Sequence, residues 1–218
     1  LGKGFNSINI KGDKLEVGAS ILDINLSNYA LKNNIEGFEF YSGIPGSVGG
    51  AIKMNAGCFG SETKDLVSSI EIYNNNFEKK IIKKNDISLN YRSSNISNKE
   101  IITKVLYKFN YGKSEIIKEK IKYIKKQRVL SQPIKNKTSG STFKNPKNLY
   151  AAKLIEESGC KGINSGDAIV SNQHANFLIN RGKATATDIE NLGNLIIDKV
   201  YSKFNIKLEW EVKIIGVK

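Results

Sequence analysis

The stretch Thr138-Ser139-Gly140-Ser141-Thr142-Phe143-Lys144-Asn145-Pro146 packs hydroxyls, a lysine and a carboxamide into one tight loop bounded by glycine and proline. A simple structural turn asks for Gly, Pro, Asn or Ser for backbone reasons. It does not ask for a lysine and an amide beside a hydroxyl, which is the set an anionic substrate would meet. A second dense stretch, Gly43-Ile44-Pro45-Gly46-Ser47-Val48-Gly49-Gly50-Ala51, continues into Met54-Asn55-Ala56-Gly57. Its glycines remove side chains from a short path that Pro45 stiffens, so several backbone N–H groups can come close to a phosphate. From spacing alone a glycine-rich turn between strands is the plainer reading, because isolated glycine patterns often match by chance. The block is not the dinucleotide fingerprint, since no G-x-G-x-x-G opens a helix. Leu1–Asn6 has a superficial likeness to a phosphate loop and is given no role.

The elements that must carry these stretches follow from periodicity. Ser20 with Asp23 reads as a helix start, with the helix running to about Asn33. Residues 68–72 and 77–82 flank Asn74-Asn75-Asn76 as a hairpin. Ile101, Thr103, Val105, Tyr107 and Phe109 alternate onto one face of a strand. Ser114–Arg128 carries basic residues around Ile117, Ile121 and Ile124, a helix with one apolar stripe. A helix over about 150–158 ends at Gly159, and 168–170 and 176–180 read as short strands. Thr187 with Glu190 forms a capping box ahead of Ile189, Leu192, Ile196, Val200 and Phe204 at helical spacing. Residues 207–215 alternate strictly, with Leu208, Trp210, Val212 and Ile214 facing one way. The class is α+β, with a domain boundary near Gly112-Lys113, giving domains of 1–113 and 114–218.

The 218 residues suffice for a buried core without staples. Cys58 and Cys160 sit far apart in unlike surroundings, and there is one histidine, so neither a disulfide framework nor a metal site is expected. No run of about 18 apolar residues is present, so no membrane partner is expected. Cysteine usage fits a reducing cytoplasm. The net charge of +13 comes from lysines spread along the whole chain, which reads as a solvated surface rather than a nucleic-acid face. The opening Leu1-Gly2-Lys3-Gly4, without an initiator methionine, reads as a piece of a longer polypeptide.

Taken together, the Gly43–Ala51 block followed by Met54-Asn55-Ala56-Gly57 resembles the FAD-binding segment of the UDP-N-acetylenolpyruvoylglucosamine reductase (MurB) family. Later blocks agree in order: Tyr91-Arg92-Ser93-Ser94, Gly140–Pro146, His174-Ala175-Asn176-Phe177 and Leu208-Glu209-Trp210-Glu211-Val212. The Gly140–Pro146 block is the most discriminating. The resemblance implies part of a vanillyl-alcohol-oxidase-like (PCMH-type) FAD-binding domain, followed by the family's C-terminal α+β substrate domain. It also implies FAD and NADPH as cofactors, a UDP-sugar enolpyruvate substrate, and a cytoplasmic place in peptidoglycan precursor synthesis. Gly43, Ile44, Pro45, Gly46, Ser47, Val48, Gly49, Gly50, Asn55, Ala56 and Gly57 would contribute to the FAD site.

The reaction adds hydride beta to a carboxylate, so negative charge builds toward that carboxylate and a fixed planar cation should stabilise it. By the resemblance Arg92 is that cation, able to grip bidentately where lysine would not. Ser141 is the proton donor to the carbanionic carbon, and Glu211 assists, although residue chemistry alone does not separate Glu211 from Glu209. Lys144 and Asn145 offer a charge and an amide to the diphosphate, Tyr91 packs beside substrate or supports Arg92, and His174 is a satisfied residue rather than a base. The three catalytic side chains should converge on one substrate. The family's first quarter has no counterpart here, so weak FAD binding, or association through uncovered apolar surface, is expected. Rival readings are another flavin oxidoreductase sharing the FAD domain and a basic RNA-binding module on Lys113–Arg128. The latter has few interleaved aromatics.

Overall fold

The computed structural model describes residues 1–216, which form two compact units that divide between Gln127 and Arg128. The division falls inside a helix rather than at Gly112-Lys113. The reason is the stripe read from sequence: Ile117, Ile121 and Ile124 of α3 (Ser114–Ser131) are buried, and Lys120 reaches Glu39 at 3.5 Å. Most of α3 therefore belongs with the first unit.

The first unit is built on a five-stranded antiparallel sheet. Its order is Ile8–Lys11, Lys14–Gly18, Ile101–Lys108, Val67–Tyr73, Lys79–Lys83. Strand alternation gives one dry face, where Val17, Val105 and Ile70 stand side by side, and so do Leu15, Tyr107 and Val67. On the other face Glu16 takes Lys11 at 3.0 Å and Lys104 at 3.4 Å. The hairpin around Asn74 forms as expected, with its side-chain oxygen accepting the N–H groups of Asn76 and Glu78.

Of the alternating set read over 101–109, Thr103, Val105 and Tyr107 are buried, but a register shift between Ile102 and Lys104 takes Ile101 off that face. Ile102 turns inward at 7% exposed while Ile101 is 53% exposed. This bulge aims the Thr103 carbonyl at the Ala19 N–H (3.0 Å), holding the segment that leads into the helix starting at Asp23.

Helix α1 spans Asp23–Lys32, and its N-cap is Leu22, not Ser20. The Ser20/Asp23 box does not form because Ser20 lies in the turn closed by the Ile21 N–H on the Gly18 carbonyl, giving its own N–H to the Phe5 carbonyl, while the Asp23 N–H goes to the Gly46 carbonyl at 3.0 Å. Inside the glycine block a short helix, α2 (Val48–Lys53), buries Val48, Ala51 and Ile52.

The second unit has a three-stranded antiparallel sheet, Asn164–Ser165, Ala168–Val170 and Leu178–Asn180, with α4 (Ala151–Glu157) and α5 (Ala186–Phe204). Its core gathers Phe143, Ile155, Val170, Leu192, Ile196, Val200 and Leu208. The capping box of α5 is Thr185 with Asp188, two residues before the one expected. Thr185 Oγ1 accepts the Asp188 N–H at 3.1 Å, and Asp188 Oδ2 takes the Thr185 N–H at 2.8 Å. Residues 207–215 are not a regular strand: their ladder is a single bridge between Trp210 and Phe143, and Ile214 is 57% exposed.

Candidate functional site

In the first unit, Ala19–Asp23 runs antiparallel to Gly46–Gly49. Asp23 N–H donates to the Gly46 carbonyl, Leu22 bridges Ser47, Val48 N–H donates to Ile21 at 2.9 Å, and Gly49 N–H donates to Ala19 at 2.9 Å. The amides of Val48 and Gly49 are thus used within the protein, as in the plainer reading of the glycine spacing. Gly49 is small for another reason: a Cβ there would stand 3.1 Å from the Ala19 Cβ and 3.2 Å from its carbonyl. That glycine lets α2 lie flat on the strand end.

Ser47, Gly49 and Gly50 border a cavity of about 440 Å³, together with Leu1, Ala19, Ser20, Lys53, Asn98, Glu100 and Ile102. The hydroxyls of Ser20, Ser47 and Ser97, the Lys53 ammonium and the Asn98 carboxamide face this space, as does the Glu100 carboxylate, whose Oε2 accepts the Ser97 N–H at 2.8 Å, and a Cβ on Gly50 would meet nothing closer than Ser47 Oγ at 3.6 Å. This donor set fits the diphosphate of FAD. Lys53 Nζ also donates to the Ile96 carbonyl, which fixes it at the rim. The turn Lys3–Phe5 adjoins the same region, with Ser20 N–H on the Phe5 carbonyl at 3.2 Å. Of the six opening residues, Leu1 lines the cavity and Phe5 holds Ser20 through its carbonyl.

The remaining block residues have structural placements. Gly43 and Val48 are buried, Ile44 packs on the core, and Pro45 and Gly46 are exposed. Asn55 is buried with a left-handed backbone (φ 42°); its amide donates to Glu62 at 3.0 Å and its oxygen accepts the Lys64 N–H at 3.0 Å. The Ala56 carbonyl takes the hydroxyl and N–H of Thr63. Gly57 pairs with Glu62, where a Cβ would press on the Ser61 carbonyl at 2.5 Å.

Tyr91 and Arg92 form the tip of a hairpin between Leu89–Asn90 and Ser93–Ser94. Arg92 takes the second tip position with φ 53°, a conformation that suits glycine. Its guanidinium carbon stands 4.9 Å over the Tyr91 ring, so Tyr91 supports Arg92 directly. The Lys64 hydrogen bond, with help from Asn55 and the charge of Arg92, outweighs burial and holds Glu62 below the usual carboxylate range.

In the second unit, Ser141–Lys144 lies between two other segments. On one side Ser141 bridges Phe177, and Thr142 N–H donates to the Asn176 carbonyl at 2.8 Å. On the other, Lys144 N–H donates to the Glu209 carbonyl (2.8 Å), and Glu211 N–H donates to the Thr142 carbonyl (2.9 Å). Ser141 and half-buried Glu211 are thereby brought to neighbouring segments. Glu209 is exposed and ion-paired to Lys144 at 3.3 Å. The Asn145 side-chain oxygen accepts the Ala151 N–H at 3.0 Å, tying the loop to the start of α4.

Asn176 is 4% exposed, and nothing in its local sequence signals its task. Its side chain imitates a strand: Oδ1 accepts the Phe143 N–H at 2.9 Å and Nδ2 donates to the Phe143 carbonyl at 2.8 Å. His174 Nδ1 accepts the Asn176 N–H at 3.3 Å, its ring lies edge-on to Phe177, and burial lowers its pKa below the ordinary value. Among the described residues no cluster of His, Cys, Asp or Glu could hold a metal ion, and no helix is long and apolar enough to cross a membrane.

Residues 2–76 match the family model described as FAD binding domain, beginning at the Gly2 turn, and residues 132–215 match the model UDP-N-acetylenolpyruvoylglucosamine reductase, C-terminal domain. A UDP-N-acetylenolpyruvoylglucosamine reductase of Clostridium tetani is 44% identical over 213 residues, 97% of this chain and 69% of its own length. One of Orientia tsutsugamushi is 44% identical over 223 residues, 100% of this chain and 73% of its own. The crystal structure of the Thermus caldophilus reductase (MurB) superposes with a TM-score of 0.85 at 33% identity, covering 96% of this chain and 75% of that one. With both domain models matched in order and near-complete coverage at this identity, the chain belongs to the UDP-N-acetylenolpyruvoylglucosamine reductase family.

Proposed function

We propose that this chain reduces the enolpyruvyl group of UDP-N-acetylglucosamine enolpyruvate to give UDP-N-acetylmuramate, the step the family supplies to peptidoglycan precursor synthesis in the cytoplasm. The observation that carries the reading is the 44% identity across 97% of the chain, which takes in both the FAD-binding and the C-terminal domain. Bound FAD supplies hydride transfer, drawing on NADPH as reductant.

The chain's own residues bind, orient and protonate. Ser20, Ser47 and Lys53 hold the cofactor's anionic end, with Gly50 leaving it room. Arg92, steadied on Tyr91, grips the substrate carboxylate and stabilises the charge that develops there. Ser141 gives its hydroxyl proton to the substrate carbon, and Glu211 assists from the adjoining segment. Supporting this is the backbone tie between Glu211 and Thr142, which holds the carboxylate's residue beside the hydroxyl's. Lys144 and Asn145 serve the substrate's diphosphate, and both are already anchored, to Glu209 and to α4.

The test is NADPH oxidation that depends on the enolpyruvyl substrate. NADPH consumption indifferent to that substrate would refute the reading and favour another flavin oxidoreductase. Ser141→Ala should leave flavin reduction by NADPH intact but lower product formation by about a hundredfold; near-normal turnover would remove Ser141 as donor. Arg92→Lys should cost about tenfold in turnover, and an unchanged rate would rule out the bidentate grip.

A further inference from the structure

Gly193 lies in the middle of α5 on its buried face, between Leu192 and Ile196 of the second core. A mid-helix glycine costs about 1 kcal/mol relative to alanine, so its position calls for a packing cause. The cause is Trp210. A Cβ on Gly193 would come within 2.9 Å of the ring atom Cζ3 and closer still to Cζ2 and Cη2.

The half-buried indole could clear such a Cβ only by giving up its seat on Phe143. Its other side rests on the Phe143 ring, with centroids 5.0 Å apart and planes at 46°, and Phe143 is 1% exposed. The two residues are also bridged through their backbones, while Asn176 clasps Phe143 from beyond. The ring therefore locates two segments at once: the loop carrying Ser141 two positions before Phe143, and the stretch carrying Glu211 one position after Trp210. That second stretch has no sheet to rest on and is tied to the loop through Glu209, Glu211 and Val212.

We propose that Gly193 is a positioning residue for proton delivery: the space it leaves on α5 seats Trp210, and that seat sets where Ser141 and Glu211 stand. The proposal rests on the roles assigned to those two residues above. Gly193 touches neither substrate nor cofactor and acts through the indole.

Trp210 is the single tryptophan of the chain, so its intrinsic fluorescence reports the seat with or without cofactor. In Gly193→Ala the emission should shift toward the red as the ring is displaced. Reduction of the enolpyruvyl substrate should fall by about ten- to a hundredfold, while flavin reduction by NADPH stays within about twofold of the parent. Gly193→Ala/Trp210→Phe, which removes the colliding ring atoms, should be more active than Gly193→Ala, a non-additive rescue. Unchanged emission and turnover in Gly193→Ala would overturn the proposal. If Gly193→Ala does not fold, recovery of a folded, active double variant supports it, and failure of that variant overturns it. A failure of the functional reading itself would appear in the parent chain, whereas a failure of this proposal appears only in the ratio of variant to parent.

Discussion

Asp23 is the residue whose chemistry is least settled by its neighbours. It is fully buried, neither carboxyl oxygen has a hydrogen-bond partner, and Ser27, one turn further along the same face of α1, is in the same state. Burial pushes its pKa up to about 7. A folded-state value above the ordinary 3.8 means that the native protein holds this proton more tightly than the unfolded chain does. The resulting stability is complete below about pH 4 and lost as pH rises through about 7, amounting to at most ~4 kcal/mol. Asp23→Asn should remove that loss and stabilise the protein at pH 8 by about 1–3 kcal/mol relative to pH 5. Denaturant melts of both forms at both pH values check this, and equal slopes would refute it. His174 works in the opposite sense, since its lowered pKa costs stability as pH falls below about 6.5. It is common to parent and variant, so the comparison isolates Asp23. None of this was legible in the sequence, where Asp23 passed as a helix-start residue, because its burial depends on the glycine block folding over it.

At the scale of elements, the periods of 3.6 were legible and the periods of 2 less so. α3 and α5 lie where their apolar stripes put them, since a helix supplies its own hydrogen bonds. Strands need partners, which local sequence does not name. The 101–109 alternation loses Ile101 because the bulge is set by the neighbouring strand at Glu71, to which the Thr103 hydroxyl donates. The 207–215 alternation gives one bridge because only a short loop segment runs beside it. The frame of the α5 capping box was open between two Thr-x-x-acid sets. Asn180 chooses it by accepting the Gly182 and Ala184 N–H groups just ahead of Thr185. For the site, the Gly140–Pro146 loop stood out by composition, but the Asn176 clasp that holds it did not, being a contact across 33 residues of chain. Asn176→Ala leaves the Phe143 N–H and carbonyl buried and unpaired, which should destabilise the second unit by about 2–3 kcal/mol. Thermal or urea melts would show it, and a cost below measurement would mean the loop re-pairs on its own.

Across the whole molecule, the even spread of lysine acquires a location at the rim of the five-stranded sheet. Lys79–Lys83 is an edge strand, with Lys79, Lys80 and Lys83 exposed around Ile81, itself 66% exposed. An apolar residue on an open edge invites pairing with another chain, and flanking lysines oppose it. Lys80→Thr with Lys83→Thr should therefore raise self-association at unchanged fold, seen as increased light scattering, and clear solutions at millimolar protein would count against the idea. The same ladder of ammonium groups makes colloidal behaviour depend on the electrolyte. Like-charge repulsion reaches roughly 10 Å at 0.1 M salt but only about 3 Å at 1 M, so concentrated salt should promote the edge-to-edge clumping that dilute buffer holds off.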